Sequence, residues 1–157
     1  MSKLRKAAQG QPCMVRIPLV CNGDPETTVL AHIRRRGLSP WLGALHSRKA
    51  GHPALASDLM EEFRAPLIDQ IVLQALRQKQ ISPADFSVSP HEAQPCRLLP
   101  AARKQFIALI EARLNSRQKH PRTGHLSDWQ RIIQFQVYHY TRVLTGDEPV
   151  YHPLIWR

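Results

Sequence analysis

The hydrophobic positions divide the chain into a head without period and a body with a strong one. Up to about Val20, apolar and polar residues follow neither a helical nor a strand repeat. Asn22-Gly23-Asp24-Pro25 is a dense turn signal, and the stretch after it predicts a short helix through Ala31 and His32. Arg34-Arg35-Arg36-Gly37 breaks that pattern, which places a boundary there: an irregular basic head over residues 1–36 and a helical body over residues 37–157.

From Pro53 the pattern is that of an amphipathic helix. Leu55, Leu59, Phe63, Leu67 and Ile71 recur every four residues, and Val72, Ala75 and Leu76 extend the stripe. Pro66 lies inside it and predicts a kink or two abutting helices, because proline lacks an N–H and crowds the preceding turn. Ser82-Pro83 ends the run, and Phe86–Val88 with Cys96–Leu99 predicts a small hairpin. A second helix fits 101–115, with Pro100 in its first turn and Phe106, Ile107, Ile110 and Leu114 on its buried face. A third begins at a capping box of Ser127 and Gln130, carries Trp129, Ile133, Val137, Tyr140 and Leu144 on one face, and stops at Gly146. The fold class expected is mainly α, with about three to five helices and a small hairpin.

Charge changes the picture of partners. The chain has 157 residues and a formal net charge of +10. Seven of the lysines and arginines lie in residues 1–37 against Asp24 and Glu26, so a basic arm leads into a more balanced body. That balance favours a polyanion, with nucleic acid ahead of an acidic membrane face. No apolar run approaches the ~18 residues of a membrane span, and the polar start is unlike a signal peptide. Three cysteines, Cys13, Cys21 and Cys96, make no even disulfide framework, which points to reduced thiols and a cytoplasmic setting.

Candidate chemistry gathers in two places. Asp58, Glu61 and Glu62 follow one another at helical spacing, with Asp58 three residues before Glu61 and therefore on its face. Hard divalent cations take such carboxylates together with water and phosphate oxygens. His46, behind the hydrophobic lead-in Trp41-Leu42-Gly43-Ala44-Leu45, is placed to join them. Early helical acids also favour the helix dipole, and a loop histidine needs no metal, so spacing leaves both readings open. In the head, Cys13, Cys21 and His32 are three potential zinc ligands, one short of a closed structural site, and buried cysteines remain the alternative.

Residues 37–46, Gly-Leu-Ser-Pro-Trp-Leu-Gly-Ala-Leu-His, and 51–64, Gly-His-Pro-Ala-Leu-Ala-Ser-Asp-Leu-Met-Glu-Glu-Phe-Arg, closely resemble the CRISPR-associated adaptation integrase, the endonuclease that inserts new spacers. The similarity continues through Ile81–Phe86, Cys96–Leu98 and Gln136–Tyr140 to Pro153-Leu154, about 120 residues. The resemblance implies the family's C-terminal helical domain and a Mg²⁺- or Mn²⁺-dependent DNA endonuclease or integrase. It carries over a metal-binding histidine onto His46, a metal-binding acid onto Glu61, and a supporting acid onto Asp58. The family's further glutamate lies on an earlier helix, and nothing before Gly37 matches it; the family's β domain, which builds its dimer, has no match either. A truncated or impaired enzyme is therefore expected, because a metal held by too few ligands is misplaced. DNA is the partner implied, with a homodimer or a second CRISPR adaptation protein beside it.

The head resembles the start of a small prophage family of HNH-like nucleases. Leu4–Ala8, Cys13, Val15–Pro18, Val20–Gly23 and Pro25–Arg34 carry that similarity, which implies zinc on Cys13, Cys21 and His32. The family's later Cys-x-x-Cys pair has no counterpart here. Three functions thus compete: the metal-dependent integrase type, a DNA-binding module without catalysis, and a zinc-bearing HNH-like nuclease.

Overall fold

A computed structural model describes residues 25–46, 51–88 and 96–156. The expected zinc ligands Cys13 and Cys21 lie outside the described residues, as does most of the expected head.

The first helix, α1 (Pro25–Arg35), has Glu26 in its first turn and His32, Arg34 and Arg35 in its last, the arrangement that complements a helix dipole. Val29 and Ile33, four residues apart, are fully buried on its inner side. It ends where glycine is needed: Gly37 adopts φ +71°, Gly37 N–H donates to Arg34 O (3.0 Å) and Leu38 N–H to Ile33 O (3.2 Å). This closing pair satisfies the last carbonyls and turns Leu38 back onto the core. Gly37 therefore ends a helix, and α1 packs against the helices described next. All eleven residues of α1 precede Gly37, and its Val29 and Ile33 belong to the same core as the body.

The four-residue stripe forms α2 (Ala54–Phe63), a π-helical segment (Arg64–Asp69) and α3 (Gln70–Arg77) in direct succession. Leu55, Leu59, Phe63, Leu67 and Ile71 are all buried. Pro66 falls in the π segment, whose wider turn absorbs a residue that has no N–H to donate and a ring that clashes with a regular turn. The helix swells at Pro66 and continues.

After a 3₁₀ turn at Pro83–Asp85, strands β1 (Phe86–Val88) and β2 (Cys96–Leu98) pair antiparallel, as expected. Helix α4 (Pro100–Leu114) buries Ala102, Phe106, Ile110 and Leu114. A second hairpin, β3 (Arg117–Lys119) with β4 (Leu126–Asp128), was not anticipated by the apolar pattern. Helix α5 (Trp129–Leu144) follows it. Its cap is Asp128, whose carboxylate accepts from Arg131 N–H at 2.7 Å, in place of the expected Ser127. Asp128 wins because it is the last residue with extended backbone before the helix, the position from which a side chain reaches the third N–H. Leu144, expected on the buried face, is 57% exposed, and the polar Gln136 and His139 are buried instead.

The helices enclose one core, and the segment after α5 closes it. Leu154 is buried, and Trp156 packs on Trp129 with ring centroids 4.7 Å apart. Trp129, Phe63 and Phe106 are each almost wholly removed from solvent, which stabilises the fold by roughly 2–3 kcal/mol apiece. Among the described residues, no helix is long and apolar enough to cross a membrane.

Candidate functional site

The site is built where the loop after α1 folds onto the start of α2. Leu55 N–H donates to Pro40 O at 2.9 Å, which ties the loop to the first turn of α2. One turn further on, the Asp58 carboxylate faces that loop. Oδ2 accepts N–H groups from Ala44 (2.5 Å) and Leu45 (3.0 Å), while Oδ1 accepts from His46 N–H (2.9 Å). Oδ1 also lies 2.6 Å from Nδ1 of the His46 ring. Burial opposes the charge, yet donors from Leu45, His46 and Ala44 outweigh it and hold the Asp58 carboxyl below its ordinary range.

Such a carboxylate fixes the imidazole tautomer. With Nδ1–H directed at Asp58, Nε2 is the ring atom left to bind a ligand, the arrangement by which carboxylates orient metal-binding histidines. Gly43 makes it sterically feasible. A Cβ there would fall 2.6 Å from Asp58 Oδ2 and 2.9 Å from the Ala54 carbonyl carbon.

The three acids of α2 occupy three different environments. Asp58 clamps the loop. Glu61 faces solvent and pairs with Arg64 at 3.2 Å, with 41% of its side chain exposed. Glu62 points the other way, into the packing between α2, α5 and the final segment. It accepts from Gln136 Nε2 (2.9 Å), from Leu154 N–H (2.8 Å) and from the Tyr151 hydroxyl. Burial pushes the Glu62 carboxyl up, against the pull of these three donors, and burial together with Glu62 drives the Tyr151 phenol up as well.

A second set of residues lies beside the clamp and escaped the sequence reading. Ser57 Oγ donates to Glu26 Oε1 at 3.3 Å and meets His52 Nε2 at 3.1 Å, so α1 is linked to α2 through a hydroxyl next to Asp58. The His52 ring stands edge-on to His46, with centroids 6.0 Å apart. In the sequence Glu26 registers only as one of two acids, with Asp24, in a basic stretch.

His46 and Asp58 are thus in contact, and Glu61 follows Asp58 by one turn of α2. His32 is half-buried on α1, where burial and then Arg35 lower its affinity for a proton. Among the described residues, no group of three or more histidine, cysteine or acidic side chains is arranged to hold a metal ion. The His46 imidazole and the exposed Glu61 carboxylate are each donor types that a divalent ion accepts.

The sequence profile of the family described as CRISPR associated protein Cas1 matches residues 25–112, more than half of the chain. The chain belongs to the Cas1 family. That match begins at the first residue of α1, so His32 lies inside the Cas1-like part. Over 132 residues the chain is 40% identical to a CRISPR-associated exonuclease Cas4/endonuclease Cas1 fusion of Rhodospirillum rubrum, covering 84% of this chain and 22% of that protein. Over 121 residues it is 39% identical to a CRISPR-associated endonuclease Cas1 of Thermus thermophilus, covering 77% of this chain and 36% of that one. A solved casposase bound to its integration product superposes with a TM-score of 0.70 at 25% identity, over 80% of this chain and 34% of the casposase. The chain spans between about a fifth and about a third of the length of these relatives.

Within the Cas1 frame, the residues in contact at the clamp, His46 and Asp58, both fall in the matched region, as do Glu61 and Glu62. The loop that carries His46 also exposes Trp41, Leu42 and Leu45, the last at 79%.

Proposed function

We propose that this Cas1 domain acts on DNA as the helical part of a metal-dependent endonuclease or integrase of the spacer-acquisition type. The observation that carries the reading is the Asp58–His46 clamp, in which Asp58 engages Nδ1 of His46 and leaves Nε2 for a ligand, while the solvent-facing Glu61 follows Asp58 by one turn of α2. His46 and Glu61 would hold the divalent ion, Mg²⁺ or Mn²⁺, and Asp58 is the positioning acid that supports His46. When bound, such an ion supplies Lewis-acid stabilisation of phosphate oxygens and lowers the pKa of a bound water. The chain's own residues orient one imidazole, present one carboxylate and offer cations to the DNA backbone.

Two protein ligands do not fix a metal well enough for efficient phosphodiester chemistry. A further carboxylate would come from outside the described residues, on the same protein or on a partner. By itself the domain binds DNA and is a poor catalyst. The casposase relative, solved with its integration product, supports DNA as the partner.

Manganese binding to the chain with a DNA duplex present, followed by electron paramagnetic resonance, tests this reading. Immobilised Mn²⁺ is expected in the wild type, with at least a tenfold loss of affinity in His46→Ala and in Glu61→Gln. Equal Mn²⁺ affinity in the wild type and His46→Ala would remove His46 from the site.

A further inference from the structure

Beside the clamp stands a second histidine that the proposed reaction does not use. His46 and His52 are both partly exposed, and their rings meet edge-on with centroids 6.0 Å apart. Each ring has one nitrogen tied to the protein. On His46 that atom is Nδ1, 2.6 Å from Asp58 Oδ1. On His52 it is Nε2, 3.1 Å from the hydroxyl of the buried Ser57. That hydroxyl has a single proton and gives it to Glu26 Oε1 at 3.3 Å, and an ionised carboxylate has none to return. Toward His52, Ser57 Oγ is therefore the acceptor, and Nε2 of His52 carries the proton.

Both tautomers are thus set from behind, His46 by Asp58 of α2 and His52 by Glu26 of α1 through Ser57. His46 keeps Nε2 as its bare nitrogen and His52 keeps Nδ1. Metal-binding histidines are held in this way, one ring N–H donated to a neighbouring group and the other nitrogen left for the ion. The spacing of the rings suits a shared ion. A tetrahedral ion about 2.0–2.1 Å from one nitrogen of each ring sets the centroids about 5 Å apart, so about 1 Å of side-chain movement closes the pair. Imidazole selects the class of ion: Zn²⁺, Ni²⁺ and Cu²⁺ favour it, whereas Mg²⁺ takes oxygen ligands and keeps its waters.

We propose that His46 Nε2 and His52 Nδ1 together bind one transition ion, Zn²⁺ foremost, with water completing its coordination. Two side chains are too few for a closed structural zinc site, so the ion is exchangeable. It shares His46 with the proposed Mg²⁺ or Mn²⁺ position, and the two kinds of ion compete for one imidazole. That competition rests on the function proposed above; the binding of Zn²⁺ by the pair does not.

Long-range ¹H–¹⁵N NMR of the histidine rings, on the full chain without DNA, tests this by Zn²⁺ titration. Before metal is added, His46 is expected as the Nδ1–H tautomer and His52 as the Nε2–H tautomer. On titration, His46 Nε2 and His52 Nδ1 should move together with one apparent Kd. Mg²⁺ at the same concentrations should leave the His52 ring unmoved. His52→Gln should lower Zn²⁺ affinity at His46 at least tenfold, and His46→Gln should do the same at His52. Ser57→Ala, which frees the His52 ring without touching the ion, should lower the shared affinity severalfold. His125→Gln, before β4, should leave it within twofold. Each ring reports through its own resonance, so zinc held by thiols elsewhere in the chain does not mimic the signal. Circular dichroism and melting establish that each variant is folded. Zn²⁺ shifts at His46 with His52 unmoved, or two rings titrating with different affinities, overturn the shared ion. Unchanged affinity at His46 in a folded His52→Gln variant overturns it as well. Failure of Mn²⁺ to bind in the presence of DNA, with the zinc pair intact, would count against the proposed reaction alone.

Discussion

Asp58 and His46 hold each other in place. The Asp58 carboxylate takes the backbone N–H of His46 at 2.9 Å and stands 2.6 Å from its Nδ1, while Ala44 and Leu45 N–H groups complete its shell. The acid of α2 that sequence similarity marks as supporting is thus the group that shapes the loop carrying the histidine.

Replacing Asp58 with Asn should cost about 2–4 kcal/mol, since a charged acceptor of several N–H donors is lost. The pH dependence has a definite sign. The folded-state pKa of Asp58 lies below its unfolded value, so its contribution is complete above about pH 4 and is lost as pH falls through the lower folded value. Urea unfolding of wild type and Asp58→Asn across the acid range checks this. The stability gap should widen as pH rises from acid toward neutrality, and a constant gap would contradict the clamp.

Gly43→Ala should also disrupt the clamp. The new methyl would meet Asp58 Oδ2 at 2.6 Å and Ala54 backbone carbon at 2.9 Å, and the latter cannot rotate away. A cost of about 1–3 kcal/mol follows for such overpacking. The chemical shifts of the His46 ring should move with it. A variant of unchanged stability and unchanged His46 resonances would show that the loop has room the geometry denies.

Glu62 should behave in the opposite sense to Asp58. Its folded-state pKa is raised by burial, so its contribution to stability is present below the unfolded value of about 4.3 and declines as pH rises through the folded one. The gap between wild type and Glu62→Gln should therefore narrow on going from pH 4 to pH 7. Glu62→Ala leaves Leu154 N–H and the Gln136 amide short of an acceptor and should cost about 2–4 kcal/mol. Hydrogen exchange at the Leu154 amide reads this directly. Unchanged protection in Glu62→Ala would mean that the final segment is held by Trp156 and Leu154 packing alone.

Much of the fold was legible because helices announce themselves through local period. The stripe from Leu55 to Ile71 is buried throughout, and the first hairpin and the end of α5 at Gly146 fall where turn chemistry put them. What was illegible depends on partners distant in sequence. Gln136 and His139 are buried because Glu62, Tyr151, Glu148 and the backbone of His152 satisfy them, and a polarity pattern reads such residues as exposed. Strand β3 is Arg-Gln-Lys, three polar residues with no alternation to detect. At the site, spacing alone aligned Asp58 with Glu61, but Asp58 reaches back 12 to 14 residues to cap a loop. Glu62, adjacent to Glu61, turned out to be a packing anchor for the final segment.

The most direct measurement of the central claim is a cleavage and strand-joining assay on branched DNA with Mg²⁺ or Mn²⁺, run on the isolated chain beside His46→Ala and Glu61→Gln. Weak Mn²⁺-dependent nicking is expected from the wild type. His46→Ala and Glu61→Gln should abolish it, Asp58→Asn should remove it by releasing His46, and Glu62→Gln should retain most of it. Nicking at an equal rate in His46→Ala, or efficient Mg²⁺-dependent strand transfer by the wild-type chain alone, would contradict a half-complete site centred on His46 and Glu61.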